Sequence, residues 1–286
     1  MKIYIIIDLE GITGVVSPDK QAEPGSSGYQ EAREFLMSDL NAAVEGALEG
    51  GASEILIYDM HYYGLNVILD KLHPRAKIIM GNPHVVPPEM GLNNTFKGML
   101  MIGFHAMAET EEALLSHTYS HDIKALYLNG VLMGEIGMEA AIAGTYGIPL
   151  IMISGDSKGI EEAEKMLEDL GKPETAVVKY AISEAGAMCL PSSVTRSIIK
   201  EKAISAVKRI DQFKPYSSPK LDDPNYNYLI ELEFYKASYL EKALAAVEKT
   251  DEEIIPWRKK INESRIALKG NDLPSLWKGF TKIYQG

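Results

Sequence analysis

The stretch MKIYIIIDLEGITG, residues 1–14, decides the fold of this 286-residue chain. Its residues 3–7 form a continuous apolar and aromatic run, which is typical of a strand buried on both faces of a parallel sheet. Two carboxylates, Asp8 and Glu10, follow where that run ends. The carboxyl ends of strands in an open α/β sheet line the crevice that binds ligands, so the pair indicates a site there. Alternatively, Asp8 caps a following helix and Glu10 is solvated.

Strand and helix patterns alternate along the chain as far as residue 180. After the first strand, a helix is predicted over residues 29–49 and strands over 54–59, 77–80 and 99–104. The pair Asn129-Gly130 predicts a hairpin turn, and helices and strands alternate again beyond it. A helix over 191–212, an alternating strand over 228–235 and helices over 239–249 and 273–284 complete the chain. We therefore predict an α/β fold with a three-layer αβα core and a mainly parallel sheet. Residues 1–182 would form the catalytic α/β domain and residues 183–286 a smaller α+β region.

Composition excludes several classes of partner. The net charge is −11, and no basic tract interleaved with aromatic residues is present, which argues against nucleic acid. The first apolar run lacks a cleavage site and is too short to span a membrane, so no membrane partner is expected. The single cysteine, Cys189, lies in the apolar context GAMCLP and is predicted to be a buried, inert thiol. These features indicate a cytoplasmic protein.

Several predicted strands end in acidic or histidine residues. These candidates are Asp8, Glu10, Asp59, His61, His105 and Glu135. Because strand ends converge at one edge of a parallel sheet, the side chains can form one cluster. Oxygen and imidazole donors without thiolates suit Zn²⁺, Mn²⁺ or Co²⁺ in a catalytic site. Three carboxylates and two histidines exceed the needs of one metal, so we predict two cations roughly 3.5–4 Å apart that share a carboxylate.

Other candidates have different expected roles. We expect Asp59 to orient a ligating histidine through the ring nitrogen that faces away from the metal. Asp156 is explained by capping of the next helix, and His84 lies in a turn-like context. In the segment LLSHTYSHD, His117 is a candidate acid or base, whereas His121 is expected at the surface. Ser116 lacks the G-x-S-x-G context of a serine nucleophile.

Five motifs in this order, DLEGITG, YDMH, GFHA, LSHT and GEIGMEAAIAG, resemble those of the DppA-like zinc D-aminopeptidases of bacterial dipeptide-transport operons. The resemblance extends from residue 2 to about residue 189. It implies that Asp8 bridges two Zn²⁺ ions per chain, with Glu10 and His61 completing one site and His105 and Glu135 the other. It also implies that His117 is the essential catalytic histidine.

The resemblance further implies a peptidase that removes N-terminal residues from short peptides or amino-acid amides, assembled as a homodecamer of two stacked rings. The loop AMAETEEALLS, residues 106–116, and the C-terminal region depart from the family pattern, which leaves D- against L-specificity open. Two alternatives remain. A metal-dependent phosphohydrolase would use the same ligand types, but no lysine or arginine accompanies the motifs. A peptide-binding protein would bind without turnover.

Overall fold

A computed structural model of the chain describes residues 1–81, 91–248 and 255–277. Within these ranges, strands and helices alternate much as the sequence predicts. The strands are β1 (Lys2–Ile7), β2 (Glu54–Asp59), β3 (Ala76–Ile79), β4 (Phe96–Phe104), β5 (Ile123–Leu128), β6 (Val131–Met133), β7 (Leu150–Asp156), β8 (Glu174–Ser183), β9 (Gly186–Cys189), β10 (Tyr228–Phe234), β11 (Trp257–Lys260) and β12 (Arg265–Gly270). The helices are α1 (Tyr29–Gly50), α2 (Glu135–Thr145), α3 (Ser157–Met166), α4 (Ser192–Lys208) and α5 (Ala237–Glu248).

The larger sheet has seven strands in the order β3-β2-β1-β4-β7-β8-β9. Every pair in it is parallel except β8 with β9. Strand β1 is buried on both faces, as its apolar run predicts. Ile3 and Ile5 pack with α1 and α4 on one side, whereas Tyr4 and Ile6 pack with α2, α3 and the second sheet on the other. The predicted three-layer αβα core with a mainly parallel sheet is therefore confirmed.

The second sheet is antiparallel, with the order β11-β12-β10-β5-β6. Its hairpin, β5 and β6, turns at Asn129 and Gly130, whose φ angles of 49° and 80° are those the predicted turn requires. Strand β5 pairs with β10 from far along the chain, and β9 pairs with β8 in the larger sheet. Elements on both sides of residue 182 thus share both sheets, and the division of the chain there stays a prediction.

The exposed position of Cys189 contradicts the prediction of a buried thiol. Cys189 ends the short edge strand β9, where apolar neighbours in sequence do not ensure burial. His84 lies outside the described residues, and so does the predicted helix beyond residue 277, of which residues 273–277 are helical. Among the helices of the described segments, none has the length and apolar character needed to cross a membrane.

Candidate metal centre

The carboxyl ends of β1, β2 and β4, which are neighbours in the sheet, bring Asp8, His61 and His105 together. Glycines allow the backbones to approach closely. The Gly11 N–H donates to the Gly103 carbonyl at 2.7 Å, and a Cβ atom at Gly11 would lie 2.0 Å from the Phe104 carbonyl oxygen. Gly103 has a φ of +83°, in the left-handed region that favours glycine. These two glycines therefore let the strand ends converge on one point.

Asp8 lies between two histidines that come from different strands. Its Oδ1 is 3.0 Å from Nδ1 of His61, and its Oδ2 is 3.4 Å from Nε2 of His105. On one side, Glu10 Oε2 is 2.9 Å from the same His61 nitrogen. On the other side, Glu135 Oε1 is 3.4 Å from the same His105 nitrogen. All five side chains are buried, so the cluster holds three carboxylates largely out of contact with water.

Backbone carbonyls fix the tautomers of both histidines. His61 Nε2 lies 2.9 Å from the Ala22 carbonyl, and His105 Nδ1 lies 2.9 Å from the Ala106 carbonyl. A carbonyl only accepts hydrogen bonds, so each of these nitrogens carries the proton. The other nitrogen of each ring then presents a lone pair to the carboxylates. Lone pairs and carboxylates repel one another unless a cation, either a proton or a metal ion, lies between them.

The pKa values show how strongly this cluster requires positive charge. Burial lowers the pKa of His61, but the facing Glu10 and Asp8 outweigh burial and hold that pKa well above its usual range. Glu135 and Asp8 have the same effect on the pKa of His105. Burial, together with the Glu10 charge, raises the pKa of Asp8 to about 7. Without a metal ion, protons would have to supply the missing charge.

The donor atoms also fit a metal ion in their arrangement. Among the described residues, the buried atoms Asp8 Oδ2 and His105 Nε2 have no hydrogen-bond partner. Donor atoms of Asp8, Glu10 and His105 lie within 4.8 Å of one another, and so do those of His105, His117 and Glu135. These two groups share His105 and consist of nitrogen and oxygen donors, which suit zinc. The cluster therefore fits metal ions by both its geometry and its chemistry.

Glu135 reaches the cluster from the first residue of α2, directly after the hairpin. The Tyr119 backbone N–H donates to Glu135 Oε1 at 2.7 Å and so fixes the carboxylate. The N-terminus of a helix also favours a negative charge.

His117 stacks on His105, with ring centroids 4.1 Å apart and planes 10° from parallel. Its Nδ1 donates to the Leu115 carbonyl at 2.9 Å, which leaves Nε2 facing Glu135 Oε1 at 3.6 Å. Burial and the neighbouring His105 lower the pKa of His117 to about 4, so its imidazole is neutral near pH 7. The His117 side chain is 13% exposed, more than the other members of the cluster, and its ring centroid is 4.7 Å from that of the exposed His121. By distance alone, His117 could be a ligand or an acid and base.

Asp59 does not face the His61 ring, in contrast to the orienting contact expected from the sequence, because the Ala22 carbonyl occupies that position. Asp59 Oδ1 instead accepts a hydrogen bond from Asn66 Nδ2 at 2.7 Å, and Asn66 also donates to the His61 carbonyl at 2.7 Å. Asp59 thus supports His61 through Asn66, which sequence reasoning missed. Asp156 caps α3 by accepting from the N–H groups of residues 158 and 159, as predicted.

Comparison with known proteins agrees with this geometry. A family model described as D-aminopeptidase matches residues 1–267. A D-aminopeptidase of Bacillus subtilis (strain 168) is 32% identical over 219 residues, which are 77% of this chain and 78% of that protein. Among solved structures, the Zn-dependent D-aminopeptidase DppA from Bacillus subtilis, described as a self-compartmentalizing protease, matches with a TM-score of 0.87 and 27% identity. That match covers 100% of this chain and 97% of DppA. The resemblance in the sequence motifs is therefore confirmed: this chain belongs to the D-aminopeptidase family and is a metallo-aminopeptidase.

Proposed function

We propose that this chain is a binuclear zinc aminopeptidase that releases N-terminal D-residues from short peptides or amino-acid amides. The position of Asp8 carries the proposal, because its two oxygens face histidines on different strands. A carboxylate in this position can bind two cations at once, as a co-catalytic metal pair requires. The zinc dependence and the D-aminopeptidase activity of the Bacillus subtilis protein support the choice of metal and of substrate. Mn²⁺ or Co²⁺ would suit the same donors.

Each metal ion would have its own ligands in addition to Asp8. Glu10 and His61 would complete one site, since His61 Nδ1 lies 3.0 Å from Asp8 Oδ1 and 2.9 Å from Glu10 Oε2. His105 and Glu135 would complete the other. When bound, the ions supply a nucleophilic hydroxide near neutral pH and polarise the scissile carbonyl.

The chain's own residues would orient the substrate and move a proton. The free amine of the substrate carries a positive charge, so the carboxylates at the crevice would attract it and select an unblocked N-terminus. His117 would exchange its proton at Nε2, because Nδ1 is already committed to the Leu115 carbonyl. The lowered pKa of His117 leaves Nε2 free to accept a proton at neutral pH.

We expect the zinc-loaded protein to cleave D-amino-acid amides and dipeptides with a free amine. The test removes metal with a chelator, restores Zn²⁺, and compares D- and L-substrates with free or acetylated amines. Cleavage of acetylated substrates would contradict the aminopeptidase mechanism, and an L-preference would correct only the stereochemistry. Release of phosphate from a generic ester would favour a phosphohydrolase, and peptide binding without turnover would favour a binding protein.

The assembly is expected to be a homodecamer in the cytoplasm. The description of the Bacillus subtilis structure as self-compartmentalizing supports a closed oligomer with its sites facing an inner cavity. Light scattering should therefore give the mass of ten copies of the 31.5 kDa chain. A monomer at micromolar concentration would refute the assembly and leave the metal centre unaffected.

A further inference from the structure

Lys179 on β8 is a fully buried lysine whose side chain ends beneath the metal centre. Its Nζ donates to the carbonyl oxygens of Glu10 at 2.5 Å and Ile12 at 2.8 Å, and also to that of Val15. A lysine ammonium has three N–H donors, and all three are used here. The charge is thus bound by backbone carbonyls and has no donor left for a carboxylate.

The three carbonyls belong to one short loop, residues 10–15, that directly follows β1 and Asp8. Carbonyl dipoles that converge on one point repel one another, and a buried carbonyl without a donor costs about 1–3 kcal/mol. The ammonium therefore stabilises this conformation of the loop. Glu10 is part of the loop, so the position of its main chain depends directly on Lys179.

Burying a charged side chain costs free energy, because the charge loses its contact with water. An apolar side chain of similar length would avoid the desolvation cost that a buried ammonium imposes. The hydrogen bonds of the Lys179 Nζ atom all go to the loop that carries Glu10, so the buried charge acts on the main chain of a candidate ligand.

We propose that Lys179 is a positioning residue of the metal centre. By holding the Glu10 carbonyl, it fixes the direction in which the Glu10 carboxylate enters the crevice toward His61. This inference rests on the proposed binuclear site. It concerns the ion that Glu10 would hold, because the Lys179 ammonium is bonded to the main chain of Glu10, whereas Glu135 begins α2.

The same loop has a second buried anchor that provides a control. Thr13 donates its N–H and its hydroxyl to Asp39, at 3.0 Å each, and its hydroxyl lies 2.9 Å from the hydroxyl of Thr195. Thr195 on α4 is fully buried, and its hydroxyl bonds to the Thr13 hydroxyl and the Ser192 carbonyl. The Thr195→Val variant therefore removes a buried polar contact with this loop and leaves the Glu10 carbonyl paired.

The experiment compares Lys179→Met with Thr195→Val and the wild-type protein. Zinc affinity is measured by competition with a chromogenic chelator, and cobalt absorption spectra report the ligand geometry. For Lys179→Met we expect a loss of about 10–100-fold in the affinity of one ion, with the other unchanged and a shifted cobalt spectrum. For Thr195→Val we expect both affinities to stay within about twofold of wild type, because a purely structural contact changes stability and not one selected ion.

Unchanged zinc affinities in folded Lys179→Met would overturn the inference while leaving the proposed function intact. If Lys179→Met fails to fold, Lys179→Gln keeps two N–H donors without the charge and should show an intermediate loss. Failure of both variants to fold would also overturn the inference, since Lys179 would then serve the whole fold. A wild-type protein that binds no zinc would overturn the proposed function and, with it, this inference.

Discussion

The Asp8→Asn variant is expected to lose both zinc ions and, with them, the aminopeptidase activity. An amide cannot supply two anionic oxygens, and the two oxygens of Asp8 face the two halves of the cluster. Enzymes accelerate reactions by about 10⁶-fold or more, and the proposed reaction depends on the metal ions for most of this acceleration. Turnover should therefore fall by at least ~10⁴-fold when the ions are lost. Bound zinc is counted after dialysis and turnover is measured on a D-amino-acid amide. Two retained ions per chain would show that Asp8 is not the shared ligand.

The stability of the metal-free Asp8→Asn variant distinguishes a loss of zinc from misfolding. The folded-state pKa of Asp8, about 7, exceeds its ordinary value of 3.8, so the metal-free fold loses stability as the pH rises between these values. At pH 8, metal-free Asp8→Asn should therefore be at least as stable as the metal-free wild type. Asp223→Asn is the control, because it makes the same change at a carboxylate that lies outside the cluster and accepts a hydrogen bond from Lys269 Nζ at 2.7 Å. This control should keep both ions and full activity.

The His117→Ala variant should lose about 10²–10⁴-fold in kcat, the usual cost of removing a positioned acid or base, while keeping both zinc ions and its fold. The physical reason is the open Nε2 atom, which faces the cluster from its solvent side while Nδ1 is held by a carbonyl. The assay uses zinc-loaded protein with the metal counted for each variant. An effect on kcat with little change in KM would indicate a role in the chemical step.

His121→Ala is the control for His117, since its ring is exposed and lies next to that of His117. We expect little effect on kcat from it. If His117→Ala loses a zinc ion, His117 is a ligand, which its grouping with His105 and Glu135 would allow. If His117→Ala keeps full activity, the proton transfer belongs to another group, and His121 is the first candidate.

The convergence of the candidate ligands could be predicted because most of them follow a strand of a sheet that is predicted to be parallel. Apolar runs that end in Asp8 and His105 identify buried strands, and parallel strands place their carboxyl ends at one edge. The resemblance of five motifs supplied the pairing of those residues into two sites. Both arguments use short stretches of sequence, in which apolar runs and motifs can be recognised directly.

Contacts that depend on distant loops could not be predicted. The Ala22 carbonyl that fixes His61 has no signature in the sequence, since any residue supplies a carbonyl. Lys179 lies in the strand pattern TAVVKY, where a lysine would ordinarily be assigned to solvent. Strand β11 was missed because it has only four residues, two of them exposed, and β12 because its six residues do not alternate between buried and exposed.

The pairing of β5 with β10 has a consequence for how the enzyme is made. Glu135 follows the hairpin of β5 and β6, and β5 pairs with β10. The ribosome synthesises β10 about 100 residues after this hairpin, as the hydrogen bond from the Leu229 N–H to Asn129 Oδ1 illustrates. Contacts this distant in sequence form late, after local ones. A nascent chain can thus order its first strands before the hairpin that precedes Glu135 has its pairing partner. The hairpin that leads into the candidate ligand Glu135 therefore gains its full pairing only once β10 has been synthesised.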